Sequence, residues 1–89
     1  MSRMRLTVSG IVQGVGFRFF ARSVAKQLKL DGHVRNLPDG AVEVEVQGSE
    51  DDLGEFVHRL GKGPVSSRID DIRVEYIPEQ KCDGFEIRF

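Results

Sequence analysis

The sequence predicts an α+β sandwich, with two helices packed on one face of an antiparallel sheet. Three observations predict it. Several short stretches alternate apolar and polar residues, the period-2 pattern of strands with one buried face. Two intervening stretches repeat apolar residues at helical spacing, as amphipathic helices do. The length of 89 residues allows one small domain with a modest core and leaves no room for a second.

The first strand is expected over 4–8, where Met4, Leu6 and Val8 alternate with Arg5 and Thr7. A loop from Ser9 to Gly16 follows, with glycines at 10, 14 and 16. The spacing of Phe17, Phe20, Ala21, Val24 and Leu28 predicts a helix over 17–30. Asp31-Gly32 ends it, and a strand over 33–37 comes next. Pro38-Asp39-Gly40 is a turn, because Pro presets φ and Gly tolerates positive φ. Val42, Val44 and Val46 then alternate with Glu43, Glu45 and Gln47, giving the hairpin partner of the preceding strand.

Ser49 is placed to cap a second helix, and Glu50, Asp51 and Asp52 suit the positive end of its dipole. Its apolar face is Leu53, Phe56, Val57 and Leu60, and Gly61-Lys62-Gly63-Pro64 stops it. Ile72, Val74 and Tyr76 mark a strand over 69–76, and Phe85, Ile87 and Phe89 a short last one. The order is βαββαβ with one terminal strand added, the ferredoxin-like split βαβ pattern. Right-handed crossovers make the first and second strands parallel. Their carboxyl ends then share one edge of the sheet, where the glycine loop and Asn36 converge.

Composition narrows the function. Lys plus Arg total 13 and Asp plus Glu 14, for a net charge of −1. That balance favours neither nucleic acid nor an anionic membrane surface. With 39% hydrophobic and 30% charged residues, the chain is expected to fold as a soluble globule. The single cysteine, Cys82, excludes an internal disulfide and points to a reducing compartment, most simply the cytoplasm. Met1-Ser2-Arg3-Met4-Arg5 leads into no apolar h-region, so a signal peptide is not expected. No apolar run approaches the roughly 20 residues of a membrane span. A monomer is expected.

The start of the first helix breaks two local rules. Gly16 stands where Ser, Thr, Asp or Asn usually caps, and the first turn holds Arg18 instead of an acid. A cation there costs up to about 1 kcal/mol against the helix dipole. The second helix of the same chain has the ordinary acidic start. A bound anion would resolve the conflict: free N–H groups, two glycines that let the backbone approach closely, and an Arg fork make a phosphate cradle. No Lys-Ser/Thr follows the glycines, so the loop is not a Walker loop. Phe19 stands where a dinucleotide fingerprint needs its last glycine.

The stretch Val8-Ser9-Gly10-Ile11-Val12-Gln13-Gly14-Val15-Gly16-Phe17-Arg18 resembles the first signature of the acylphosphatase family. Gly32-His33-Val34-Arg35-Asn36, with Gly40-Ala41-Val42 and Gly48 after it, resembles the second. Length and element order are similar throughout, so residues 1–89 read as a single acylphosphatase-like domain. The resemblance implies hydrolysis of acyl phosphates to carboxylate and inorganic phosphate, without metal or cofactor. It implies that the backbone N–H groups of Gln13, Gly14, Val15, Gly16, Phe17 and Arg18 hold the phosphate. Arg18 is implied as the phosphate-binding side chain and Asn36 as the residue positioning the attacking water. His33 departs from the family, which commonly has an aromatic residue there.

Other residues invite blander readings. Cys82 lies in a Lys81-Cys82-Asp83-Gly84 turn with no histidine near it in sequence, and reads as a structural thiol. His33 and His58 sit on different elements without metal-ligand spacing. Phe17 and Phe20 fit the helix core face; Phe19 does not clearly belong to it. The competing functions are a non-enzymatic ferredoxin-like binding module and a regulatory domain like the one carried by large carbamoyl-transferring maturation proteins. An RNA-binding sheet needs exposed aromatics, whereas the outward positions here are Arg5, Thr7, Glu43, Glu45 and Gln47. Arg18 and Asn36 together favour the hydrolase.

Overall fold

The computed structural model describes residues 1–89. Its elements are β1 (Ser2–Ile11), α1 (Phe17–Gln27), β2 (Asp31–Asn36), β3 (Val42–Gly48), α2 (Glu50–Leu60), β4 (Arg68–Ile77) and β5 (Phe85–Arg88). All strands join one sheet in the order β4-β1-β3-β2-β5. β1 and β2 both run antiparallel to β3, so they are parallel to each other, as right-handed crossovers require. β4 closes one edge antiparallel to β1, and β5 closes the other parallel to β2. The βαββαβ order and the ferredoxin-like α+β architecture therefore hold, with one parallel pair contributed by the added strand.

Register builds the core. Leu6 lies opposite Val44, and Val44 opposite Val34. These side chains share one face with Val8, Val42 and Val46, under Phe17, Ala21, Val24 and Ala25 of α1 and Leu53, Phe56 and Leu60 of α2. Ser49 caps α2 as expected, its hydroxyl accepting from the Asp52 N–H at 3.2 Å.

Several boundaries differ from the sequence expectation. α1 ends at Gln27 and not at residue 30. Lys29 turns into the left-handed region at φ 56°, and the Leu30 N–H then bonds the Ala25 carbonyl at 2.9 Å. This is a Schellman closure with Lys in place of the usual Gly, and it folds Leu30 back into the core. β1 is longer than 4–8 because it pairs on both sides, with a register shift between Ser9 and Gly10. β2 spans 31–36, so Leu37 has already entered the turn.

The sheet face away from the helices is not the solvated surface its sequence suggests. Arg3, Glu45 and Gln47 are buried, at 2%, 8% and 8% exposure. The segment from β4 to β5 crosses over them. The Gln80 N–H donates to Gln47 Oε1 and Gln47 Nε2 donates to the Gln80 carbonyl, both at 2.9 Å. Arg3 donates to Glu45 Oε1 at 3.0 Å and to Cys82 Sγ at 3.4 Å. Each buried charge is thus paired, as burial demands.

Candidate active site

The site begins where β1 leaves the sheet. Gly10 sits at φ 133°, and a Cβ there would collide with the Arg68 carbonyl. Beyond it, Gly14 and Gly16 adopt left-handed φ values of 76° and 81°, which L-residues enter at a cost of about 1–2 kcal/mol. Gly16 is the N-cap of α1, with no side-chain cap and no acid in the first turn. The first helical bond is from the Phe20 N–H to the Gly16 carbonyl, at 3.0 Å. The N–H groups of residues 13–16 make no backbone bond, and those of Phe17, Arg18 and Phe19 precede that first one. A run of donors is left without a backbone partner at the positive end of the helix dipole.

Nothing lies within 4 Å of the positions a Cβ would take on Gly14 or Gly16. They open onto a cavity of about 180 Å³ lined by Val12, Gly14, Gly16, Phe17, Arg18, Phe19 and Asn36. At about 30 Å³ per water, this is space for about six waters. The expected convergence is present: Asn36 reaches the cavity from the end of β2, where it pairs with Val42. No Asp, Glu or His lines the space.

Of the loop residues, Gln13 and Val15 do not line the cavity. Val15 packs against the core. The Gln13 side chain serves as a clamp: Nε2 donates to the carbonyls of Leu37 and Ala41, both at 2.8 Å. This ties the loop to the turn that begins directly after Asn36. Arg18 is held from the other side. Its Nη1 donates to the Arg88 carbonyl at 3.2 Å, and its guanidinium lies 4.6 Å from the Phe89 ring centroid. Val12 and Phe19 in the wall, the Gln13 clamp, and Arg88 with Phe89 behind Arg18 were not evident from sequence. The pairing of β5 with β2 brings the last two there, and no local motif marks them.

A second polar cluster lies on the far face of the sheet, where ligand atoms of His33, Glu43 and Glu45 lie within 4.8 Å of one another. Its carboxylates are already paired: Glu43 with Arg35 at 2.9 Å, Glu45 with Arg3 at 3.0 Å and Arg5 at 3.4 Å. Burial pushes the Glu45 carboxyl up, but the Arg3 hydrogen bond and the surrounding positive charge outweigh it and leave the group below the usual carboxylate range. Burial, reinforced by Arg88, lowers the His33 pKa below its ordinary value. A hollow of about 330 Å³ adjoins this cluster. It is larger than the loop cavity but is walled by charges that satisfy each other. The unpaired donors are at the loop.

Comparison with known proteins gives the relatives of the whole chain. The family model described as Acylphosphatase matches residues 4–87. A protein of Caldivirga maquilingensis named acylphosphatase is 46% identical, over 98% of this chain and 94% of its own length. The crystal structure of acylphosphatase from Bacillus subtilis superposes with a TM-score of 0.96 at 38% identity, covering 100% of both chains. A full-length HypF structure in phosphate- and nucleotide-bound form matches with a TM-score of 0.89 at 31% identity, over 99% of this chain and 12% of that one.

Proposed function

The chain belongs to the acylphosphatase family of hydrolases acting on acid anhydrides, and from that premise we propose how it cleaves acyl phosphates. The phosphoryl group sits in the cavity, its oxygens held by the free N–H groups of residues 13–18 and by the Arg18 guanidinium. Water attacks phosphorus, the bond to the carboxyl oxygen breaks, and carboxylate and inorganic phosphate leave. The carboxylate is a good leaving group, so positioning and charge stabilisation carry the barrier reduction. The Asn36 amide offers both an acceptor and donors, so it orients the water.

One observation carries the proposal: the free donors of the loop, Arg18 and Asn36 meet at one small cavity. The lack of any carboxylate or imidazole in its wall supports it further, because no side chain there competes with an anion or acts as a general base. With benzoyl phosphate as substrate, Asn36→Ala is expected to lower kcat by about 100-fold or more. Its inhibition constant for inorganic phosphate should stay within about threefold of the parent value. Arg18→Ala should damage both. Normal turnover by the Asn36 variant overturns the role given to it.

A further inference from the structure

We propose that Phe19 is the residue that selects the acyl group, favouring acyl phosphates with an aromatic or bulky apolar acyl part; this rests on the hydrolase assignment above. α1 carries three phenylalanines in four residues. Phe17 is fully buried and Phe20 packs beside it, with ring centroids 6.2 Å apart. Phe19 is turned off that face and is 57% exposed. Phe19 is nevertheless among the residues that line the cavity, together with Arg18 and Asn36.

The chemistry of the substrate calls for such a surface. The backbone loop and Arg18 account for the phosphoryl oxygens, and nothing polar in the wall is left for the acyl part. That part must extend out of a cavity of about 180 Å³, across its rim. Of the residues lining it, Phe19 is the one large apolar residue that is exposed. Its ring is also held in place: the Arg22 guanidinium, one helical turn further on, sits over it at 5.3 Å from the centroid. A cation on one face orients the ring and leaves its remaining surface for contact. An aromatic acyl group resting there gains an offset or edge-to-face contact, which corresponds to about a three- to tenfold preference.

The test compares benzoyl phosphate with acetyl phosphate in the parent protein, Phe19→Ala and Phe19→Tyr. The readout is the ratio of the two kcat/KM values. Phe19→Ala should lower the benzoyl-to-acetyl ratio about three- to tenfold, mainly through KM for benzoyl phosphate. Phe19→Tyr should restore it, since the ring is kept. A purely structural role for Phe19 would depress both substrates together and leave the ratio unmoved. A ratio unchanged within twofold in Phe19→Ala overturns the proposal. If the parent protein hydrolyses neither compound, it is the hydrolase assignment that fails.

Discussion

Gln13→Ala separates the scaffold of the site from its chemistry. The parent side chain donates two hydrogen bonds of 2.8 Å, to the carbonyls of Leu37 and Ala41. Each contributes about 0.5–1.5 kcal/mol net. Neither carbonyl is orphaned by the change, because Leu37 O still accepts from the Gly40 N–H at 3.2 Å and Ala41 O from the Leu37 N–H at 2.8 Å. The desolvation penalty is therefore avoided, and the loss should stay near about 1–2 kcal/mol. For a domain of this size that is a fall of about 5–15 °C in Tm. Turnover should fall as well, because the bonds join the proposed phosphate loop to the turn that begins directly after Asn36. A misplacement of about 1 Å costs up to about 100-fold, and about tenfold in kcat is expected here. Thermal unfolding followed by circular dichroism, with benzoyl phosphate turnover at 25 °C, reads both effects. Gln13→Glu sharpens the test: the ionised carboxylate would face two carbonyl oxygens and should be worse than alanine at neutral pH. A lowered Tm with parental kcat would refute the idea that the clamp sets the register between loop and Asn36.

Other perturbations probe the supports of the same site. Phe89→Ala removes the ring packed on Arg18 and should raise the inhibition constant for phosphate about two- to fivefold, the worth of an exposed cation–π contact; an unchanged constant would assign the ring no positioning role. Gly10→Ala and Gly16→Ala should part company. The first meets the Arg68 carbonyl and should destabilise by about 2–4 kcal/mol. The second meets open space, so it should cost about 1–2 kcal/mol for its φ while its methyl group enters the cavity and weakens phosphate binding. His33 makes a pH prediction. Its folded pKa is lowered, so below its ordinary value of about 6.5 the unfolded chain binds the extra proton and stability falls with falling pH. His33→Gln should flatten the urea midpoint between pH 7.5 and 5.5. The Glu45 contribution, lost only below the ordinary carboxylate range, should remain. A midpoint with the parental slope in that window would contradict the assignment.

What the sequence makes legible here is whatever breaks a local rule or obeys a simple period. The strands and helix faces follow from alternation and from 3.6-residue spacing. The proposed phosphate cradle is visible because Gly16 fails to cap and Arg18 stands at the wrong end of a dipole, a conflict that needs no knowledge of the fold. Even the meeting of Asn36 with the loop follows from crossover handedness. The supporting residues have no such mark. Gln13 finds its partners 24 and 28 residues away and Arg18 its carbonyl 70 residues away, and each contact depends on strand order and register. Lys29 shows the same limit at short range: a lysine in the left-handed region carries no glycine to announce that α1 has ended, while apolar Leu30 continues the apparent helical face. The open sheet face misled for the complementary reason. Alternating Glu and Gln read as solvated, yet Glu45 and Gln47 are buried, and Gln47 is bonded to Gln80 of the segment that crosses them. On the proposed mechanism, residues that violate local preference are those a bound phosphate compensates, whereas residues that hold them in place satisfy local preference and acquire their role from topology. The division between Arg18 and Gln13 is therefore physical: Gln13 gives its amide donors to two carbonyls of the neighbouring turn, whereas Arg18 commits one guanidinium nitrogen, Nη1, to the Arg88 carbonyl.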